Sequence, residues 1–74
     1  MSDLILDVRR LLCPLPVIRL QTKIQSLSSG TTITVIATDP GVMEDIPVWC
    51  RLNGHIIKKI ERKEREIWIE VIKG

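Results

Sequence analysis

Cys13-Pro14-Leu15-Pro16 divides two patterns in the first third of the chain. Before it, Leu4-Ile5-Leu6-Asp7-Val8 is a short apolar run that reads as a strand. After it, Val17, Leu20, Ile24 and Leu27 recur at helical spacing, with Arg19, Gln21, Lys23 and Gln25 between them. The prolines fit the start of that helix, where the first N–H groups have no internal partner and φ near −65° is already helical. The spacing therefore predicts a helix from the motif to about Ser28, with Cys13 at its first turn. The N–H groups of Leu15 and Val17 would be free to face the sulfur. A helix N-terminus carries about half a positive charge, so this position is expected to favour thiolate over thiol.

Outward from the motif, Ser28-Ser29-Gly30 stops the helix, with Gly30 as a left-handed cap. Thr31 to Thr38 is β-branched and alternates: Ile33, Val35 and Ala37 share one face, and Thr32, Thr34, Ile36 and Thr38 the other. Asp39-Pro40-Gly41 closes that strand as a turn. A second helical set follows in Val42, Ile46, Trp49, Cys50 and Leu52. Because Pro47 would remove a hydrogen bond inside a helix, the regular helix is expected to start near Asp45 to Pro47. Asp45 would be its N-cap, and Asn53-Gly54 its end. His55 to Arg62 and Glu66 to Lys73 form a hairpin around Lys63-Glu64-Arg65. The order β-α-β-α-β-β predicts an α+β fold: a two-layer sandwich with a four-stranded mixed sheet and two helices on one face. Residues 1–74 are expected to form one domain.

Bulk properties narrow the function. Hydrophobic residues make up 45% of 74, enough for a modest core. The formal charge is only +2, and two tryptophans are the sole aromatics. That argues against a base-stacking nucleic-acid module and against direct nucleic-acid binding. No apolar run is long enough to span a bilayer. Met1-Ser2-Asp3 lacks the start of a signal peptide, so a cytoplasmic location is the expectation. Two cysteines do not make a disulfide framework.

The ordinary fate of a free cysteine is burial as a small hydrophobe. That reading suits Cys50, in register with Ile46, and suits Cys13 poorly. A cysteine hydrolase needs a nearby base, and nothing in the sequence brings His55, the only histidine, to Cys13. A dithiol oxidoreductase wants Cys-x-x-Cys, and here the next cysteine is Cys50. A zinc site needs about four ligands, and no pair has ligand spacing. No metal or cofactor is expected. What remains is a thiolate that carries something, such as a sulfur atom held as a persulfide. A thiol redox switch and a regulatory binding module stay open beside it.

Cys13-Pro14-Leu15-Pro16 just after a Leu6-Asp7 strand end resembles the signature of the TusA/SirA family of small sulfur carriers. A second block extends the resemblance over nearly the whole chain: Asp39-Pro40, Asp45-Ile46-Pro47, Trp49-Cys50 and the closing hairpin. The resemblance implies the same β-α-β-α-β-β sandwich, with Cys13 bearing the sulfur and Pro14 and Pro16 supporting it. It implies a cysteine desulfurase or rhodanese-like donor and a downstream relay acceptor. In some relatives the sulfur ends in thiolated tRNA. It implies no enzymatic activity of the carrier alone. Relatives often have glycine where this chain has Arg10, and arginine where it has Leu12. Asp39 and Asp45 are most simply a turn residue and a cap. With Arg10 and Arg19 they are candidate docking residues, and Arg9, Arg10 and Arg19 could stabilise a persulfide anion. The charges of the hairpin, Lys58 to Glu66, read as a solvated tip. Trp68 reads as lying on the open sheet face with Ile36 and Ile72, either as a minor packing cluster or as a protein contact patch. A monomer is the simplest expectation for a carrier that visits several partners.

Overall fold

The structure, a computed structural model, describes residues 4–74. The reading of Met1-Ser2-Asp3 therefore lies outside the described residues. The elements are β1 (Leu4–Val8), α1 (Leu15–Ile24), β2 (Thr32–Ala37), α2 (Val42–Leu52), β3 (Ile56–Lys63) and β4 (Glu66–Ile72). They form one four-stranded sheet in the order β1-β2-β4-β3. β1 is parallel to β2, and β4 is antiparallel to both β2 and β3. The expected mixed sheet is the one observed.

Alternation decides which face is covered. Val8 from β1, Ile33, Val35 and Ala37 from β2, and Ile67, Ile69 and Val71 from β4 are all buried. They join Leu20 and Ile24 of α1 and Val42, Ile46 and Cys50 of α2 in one core cluster. Both helices thus pack on the same face, giving two layers. Each fully buried Leu, Ile or Val side chain contributes about 1.5–3 kcal/mol of transfer free energy, and this layer is where the fold gets most of its stability. The other face is open. There Ile36 lies opposite Trp68, and Thr32 opposite Ile72. Lys63 Nζ sits 4.2 Å from the Trp68 ring centroid, and Trp68 Nε1 donates to Glu66 at 3.1 Å. Ile36 is 7% exposed, so this is a small packing cluster over β2 and β4.

Three expectations are corrected. First, α1 ends at Ile24 and not near Ser28. Leu27 still packs on the core, but through turns closed by Ser26 N–H to Lys23 and Leu27 N–H to Ile24 carbonyls. Gly30 has φ +88, the left-handed conformation expected of it, but it is not the cap of α1, which is Gln25. Second, α2 starts at Val42 and runs through Pro47. The turn Asp39-Pro40-Gly41 feeds directly into the helix, with Gly41 at the N-cap. Asp45 is therefore in the first turn and is not the cap. Burial of Val42 and Ile46 on the core face outweighs the hydrogen bond that Pro47 cannot donate. Third, Leu52 faces solvent at 77% exposure, because it lies at the last turn, on the side away from the sheet.

β3 pairs along its whole length with β4, with a register shift between Ile57 and Lys59. Lys58 is the extra residue of this bulge. Among the described residues no helix is long and apolar enough to cross a membrane.

Candidate functional site

The parallel pairing of β1 with β2 puts the loop after each strand at one end of the sheet, since Val8 is opposite Ala37. The β1–α1 loop carries Cys13, and the β2–α2 loop carries Asp39. Asp45 lies in the first turn of α2, directly beyond. Residues far apart in the chain are thus brought to one point. Cys13 N–H donates to Asp39 Oδ2 at 2.7 Å, and Gly41 N–H donates to Asp39 Oδ1 at 3.2 Å. The Cys13 thiol donates to Asp45 Oδ2 at 2.6 Å. A Cβ on Gly41 would lie 3.6 Å from the Asp39 carboxylate oxygens and 3.7 Å from Asp45 Oδ2, so both carboxylates flank that glycine.

Cys13 itself is exposed. It precedes Pro14, the N-cap of α1, and so stands just outside the helix and not in its first turn. The Cys13–Pro14 peptide bond is cis. Pro16 is the proline inside the first turn, and it is buried. The N–H of Leu15 does not face the sulfur; it donates to the Leu12 carbonyl at 2.9 Å. The expected bias toward thiolate is therefore reversed. The Asp45 hydrogen bond raises the Cys13 thiol above its ordinary range, because ionisation would break that bond. Desolvation and the negative charges of Asp45 and Asp39 push the same way.

The apolar residues of this loop and helix are unusually open. Leu12 is 71% exposed, and Leu15 and Ile18 are also exposed. Pro14 is exposed beside them. Exposed apolar side chains thus flank Cys13 along the loop and the first turns of α1, and two carboxylates hydrogen-bond it.

Arg10 and Arg19 are both exposed. Arg10 adopts φ +70, and its N–H donates to Thr38 Oγ1 at 2.8 Å, holding the β1–α1 loop to the end of β2. The β3–β4 turn comes to this same end, because Ile67 at the start of β4 pairs with Ala37. An open groove of about 550 Å³ results, lined by Asp7, Arg9, Arg10, Thr38, Arg65 and Glu66. Arg9 is committed within it, bonding Asp7 at 2.8 Å and Glu66 at 3.0 Å. The Arg9 guanidinium holds the Asp7 carboxyl down to about 2. Most of the hairpin charges are exposed as expected, but Lys63 lies over the Trp68 ring, Glu66 is bonded by Arg9, and Arg65 joins Arg10 at the Cys13 end, which sequence spacing does not reveal.

The remaining candidates lie elsewhere. Cys50 is fully buried in the core, and burial pushes its thiol up to about 11. His55 stacks on Trp49 with ring centroids 5.2 Å apart, and its Nδ1 accepts from Gly74 N–H. It sits before β3, whose first residue pairs with the last of β4. That is the sheet end opposite Cys13. Among the described residues no group of three or more His, Cys, Asp or Glu is arranged to hold a metal.

A family model described as "Sulfurtransferase TusA" matches residues 4–74. The sulfur carrier protein TusA of Buchnera aphidicola subsp. Baizongia pistaciae is 35% identical over 68 residues, spanning 89% of this chain and 86% of that protein. The sulfur carrier protein TusA of Pseudomonas paraeruginosa is 44% identical over 62 residues, spanning 84% and 76%. Among solved structures, a SirA-like protein from Desulfitobacterium hafniense superposes with a TM-score of 0.83 at 20% identity, covering 99% of each chain. That likeness supports the fold, while the family match extends over both the Cys13 loop and the α2 block that supplies Asp45. The chain therefore belongs to the TusA family of sulfur carrier proteins.

Proposed function

We propose that Cys13 is the sulfur-bearing residue and that it works by cycling between a thiol and a persulfide. A cysteine desulfurase or rhodanese-like protein is the donor, and a thiol of a relay protein is the acceptor. The observation that carries this reading is the contrast between the two cysteines: Cys13 is exposed in a stretch of chain whose apolar side chains are also open, and Cys50 is sealed in the core. A carrier needs one sulfur within reach of its partners and needs no base or metal of its own.

The chemistry is a thiol–persulfide exchange. Cys13 loses its proton, and its sulfur attacks the terminal sulfur of the donor's persulfide. The donor's S–S bond breaks as the new S–S bond forms on Cys13, and the donor leaves as a thiolate that takes up a proton. Transfer onward repeats these events with the acceptor as nucleophile. No oxidant or reductant is consumed. Leu12, Leu15 and Ile18 supply apolar contact to the partner, and Arg10 and Arg19 supply charge that steers it. The acceptor, tRNA thiolation being one destination, sets the final product. The carrier acts as a component of a relay and not as an enzyme by itself, and the cytoplasm is its proposed location.

The test is intact mass after incubation with a cysteine desulfurase and cysteine. Wild type and Cys50→Ala are expected to gain one sulfur that a reductant removes, and Cys13→Ser none. A reducible one-sulfur gain in Cys13→Ser would refute the assignment.

A further inference from the structure

We propose that Asp45 holds Cys13 as a protonated thiol in the free protein, so that sulfur transfer begins only when this hydrogen bond is broken. The inference deepens the carrier reading, on which it rests, by naming what controls its reactive atom. It starts from placement. Asp45 is in the first turn of α2, and Cys13 is on the loop before α1. The two meet because β1 and β2 are parallel neighbours whose following loops share one end of the sheet. The backbone of Cys13 is fixed independently by Asp39, through its N–H at 2.7 Å, which leaves the thiol facing Asp45 Oδ2 at 2.6 Å.

The charges around the sulfur agree. From the β2–α2 loop comes Asp39, and from α2 Asp45. Both oppose a negative sulfur. Neither forms an ion pair among the described residues, so no cation offsets them. The nearest compensating donors that a helix start would offer are absent as well. Pro14 and Pro16 have no N–H, the Leu15 N–H is spent on Leu12, the Ile18 N–H is spent on Pro14, and the Val17 N–H makes no hydrogen bond to the sulfur, whose one partner is Asp45. A thiol can donate to a carboxylate, whereas a thiolate can only be repelled by it. Thiolate is the nucleophile in exchange with another sulfur and also the form attacked by alkylating agents and oxidants. The exposed sulfur is thereby protected between partners. Transfer then requires the proton to leave and the Asp45 carboxylate to be turned aside or neutralised.

The experiment is the rate of Cys13 alkylation by iodoacetamide against pH, read on the Cys13 peptide by mass spectrometry. It uses the full chain as wild type, Asp45→Asn and Asp45→Glu. The amide introduced by Asp45→Asn can donate to a thiolate, so the pH midpoint of that variant is expected to fall and its rate at pH 7 to rise about threefold or more. Asp45→Glu retains a carboxylate and is expected to keep a midpoint above that of Asp45→Asn. The wild-type midpoint should also fall when the chain is unfolded in urea, a comparison that requires no variant to fold. A midpoint for Asp45→Asn equal to that of wild type overturns the proposal, as does a urea midpoint no lower than the native one. Persulfide loading is followed on the same samples. A lowered midpoint in Asp45→Asn with no loading of any form counts against the carrier reading and leaves the hydrogen bond standing. Normal loading with an unchanged midpoint does the reverse.

Discussion

Replacing Pro47 by alanine is expected to make the protein more stable. Pro47 is the sixth residue of the eleven in α2, past the first turn, where proline is tolerated. The hydrogen bond that residue 47 would donate to the Met43 carbonyl is missing, and the ring crowds that carbonyl. In a helix interior proline costs about 3 kcal/mol relative to alanine. Alanine gives back part of this by loosening the unfolded chain, at about 0.4–1 kcal/mol. Roughly 2 kcal/mol should remain as net stabilisation. For a chain of this length, total stability is about 4–11 kcal/mol, so the change is large. In thermal unfolding it corresponds to a rise in Tm of roughly 8–16 °C. The assay is urea unfolding followed by the fluorescence of Trp49 on α2 and Trp68 on β4. The midpoint should move to higher urea with the slope unchanged. A midpoint that stays put or falls would refute the reasoning, since packing of the half-buried proline ring would then outweigh the missing bond.

Other outcomes follow from the same structure. Leu20 is fully buried between α1 and the sheet, so Leu20→Ala should cost about 2–5 kcal/mol in the same urea assay. Asp7 has a carboxyl held down to about 2, from an ordinary 3.8, by hydrogen bonds from Arg9. Its folded value is the lower one, so its stabilisation is present above pH 4 and is lost as pH falls toward 2. Asp7→Asn should flatten the decline of Tm across that acid window, and an unchanged acid limb would show that the exposed pair does no more than decorate the surface.

Much of the architecture can be read in the sequence because its signals are local. The alternation of Ile33, Val35 and Ala37 gives both a strand and its buried face. The helical spacing of Leu20 and Ile24 gives the packed side of α1. The start of α2 is misread for a physical reason. Pro47 is a strong local signal for a helix beginning, yet the burial of Val42 and Ile46 is a tertiary gain that local propensity does not register. The candidate site is legible in its cysteine and not in its electrostatics. Cys13 declares itself by its prolines, but the groups that set its charge state are Asp39 and Asp45, separated from it by 26 and 32 positions. The signal that finds them is topological: parallel β1 and β2 must send their following loops to the same end. Arg10 illustrates the same limit. Its φ of +70 is a conformation that glycine adopts freely and other residues adopt rarely, and nothing in the residues beside the arginine announces it.

The bulge in β3 has a bearing on how the molecule behaves in a crowded solution. β3 is one of the two lateral strands of the sheet, eight residues long, with Ile56 and Ile60 exposed on it. A long straight border strand with open isoleucines invites a neighbour's strand to zip onto it, and chains that do so polymerise. Lys58 interrupts that border where the register shifts, adding local twist and an exposed positive charge. Lys59, Arg62 and Lys63 continue the charge along the strand. An incoming strand would have to leave its own hydrogen-bonding groups unmatched at the kink and desolvate several ammonium and guanidinium groups beside it. The kink thus leaves the lateral border of the sheet ill suited to fibre growth, even though its isoleucines are bare.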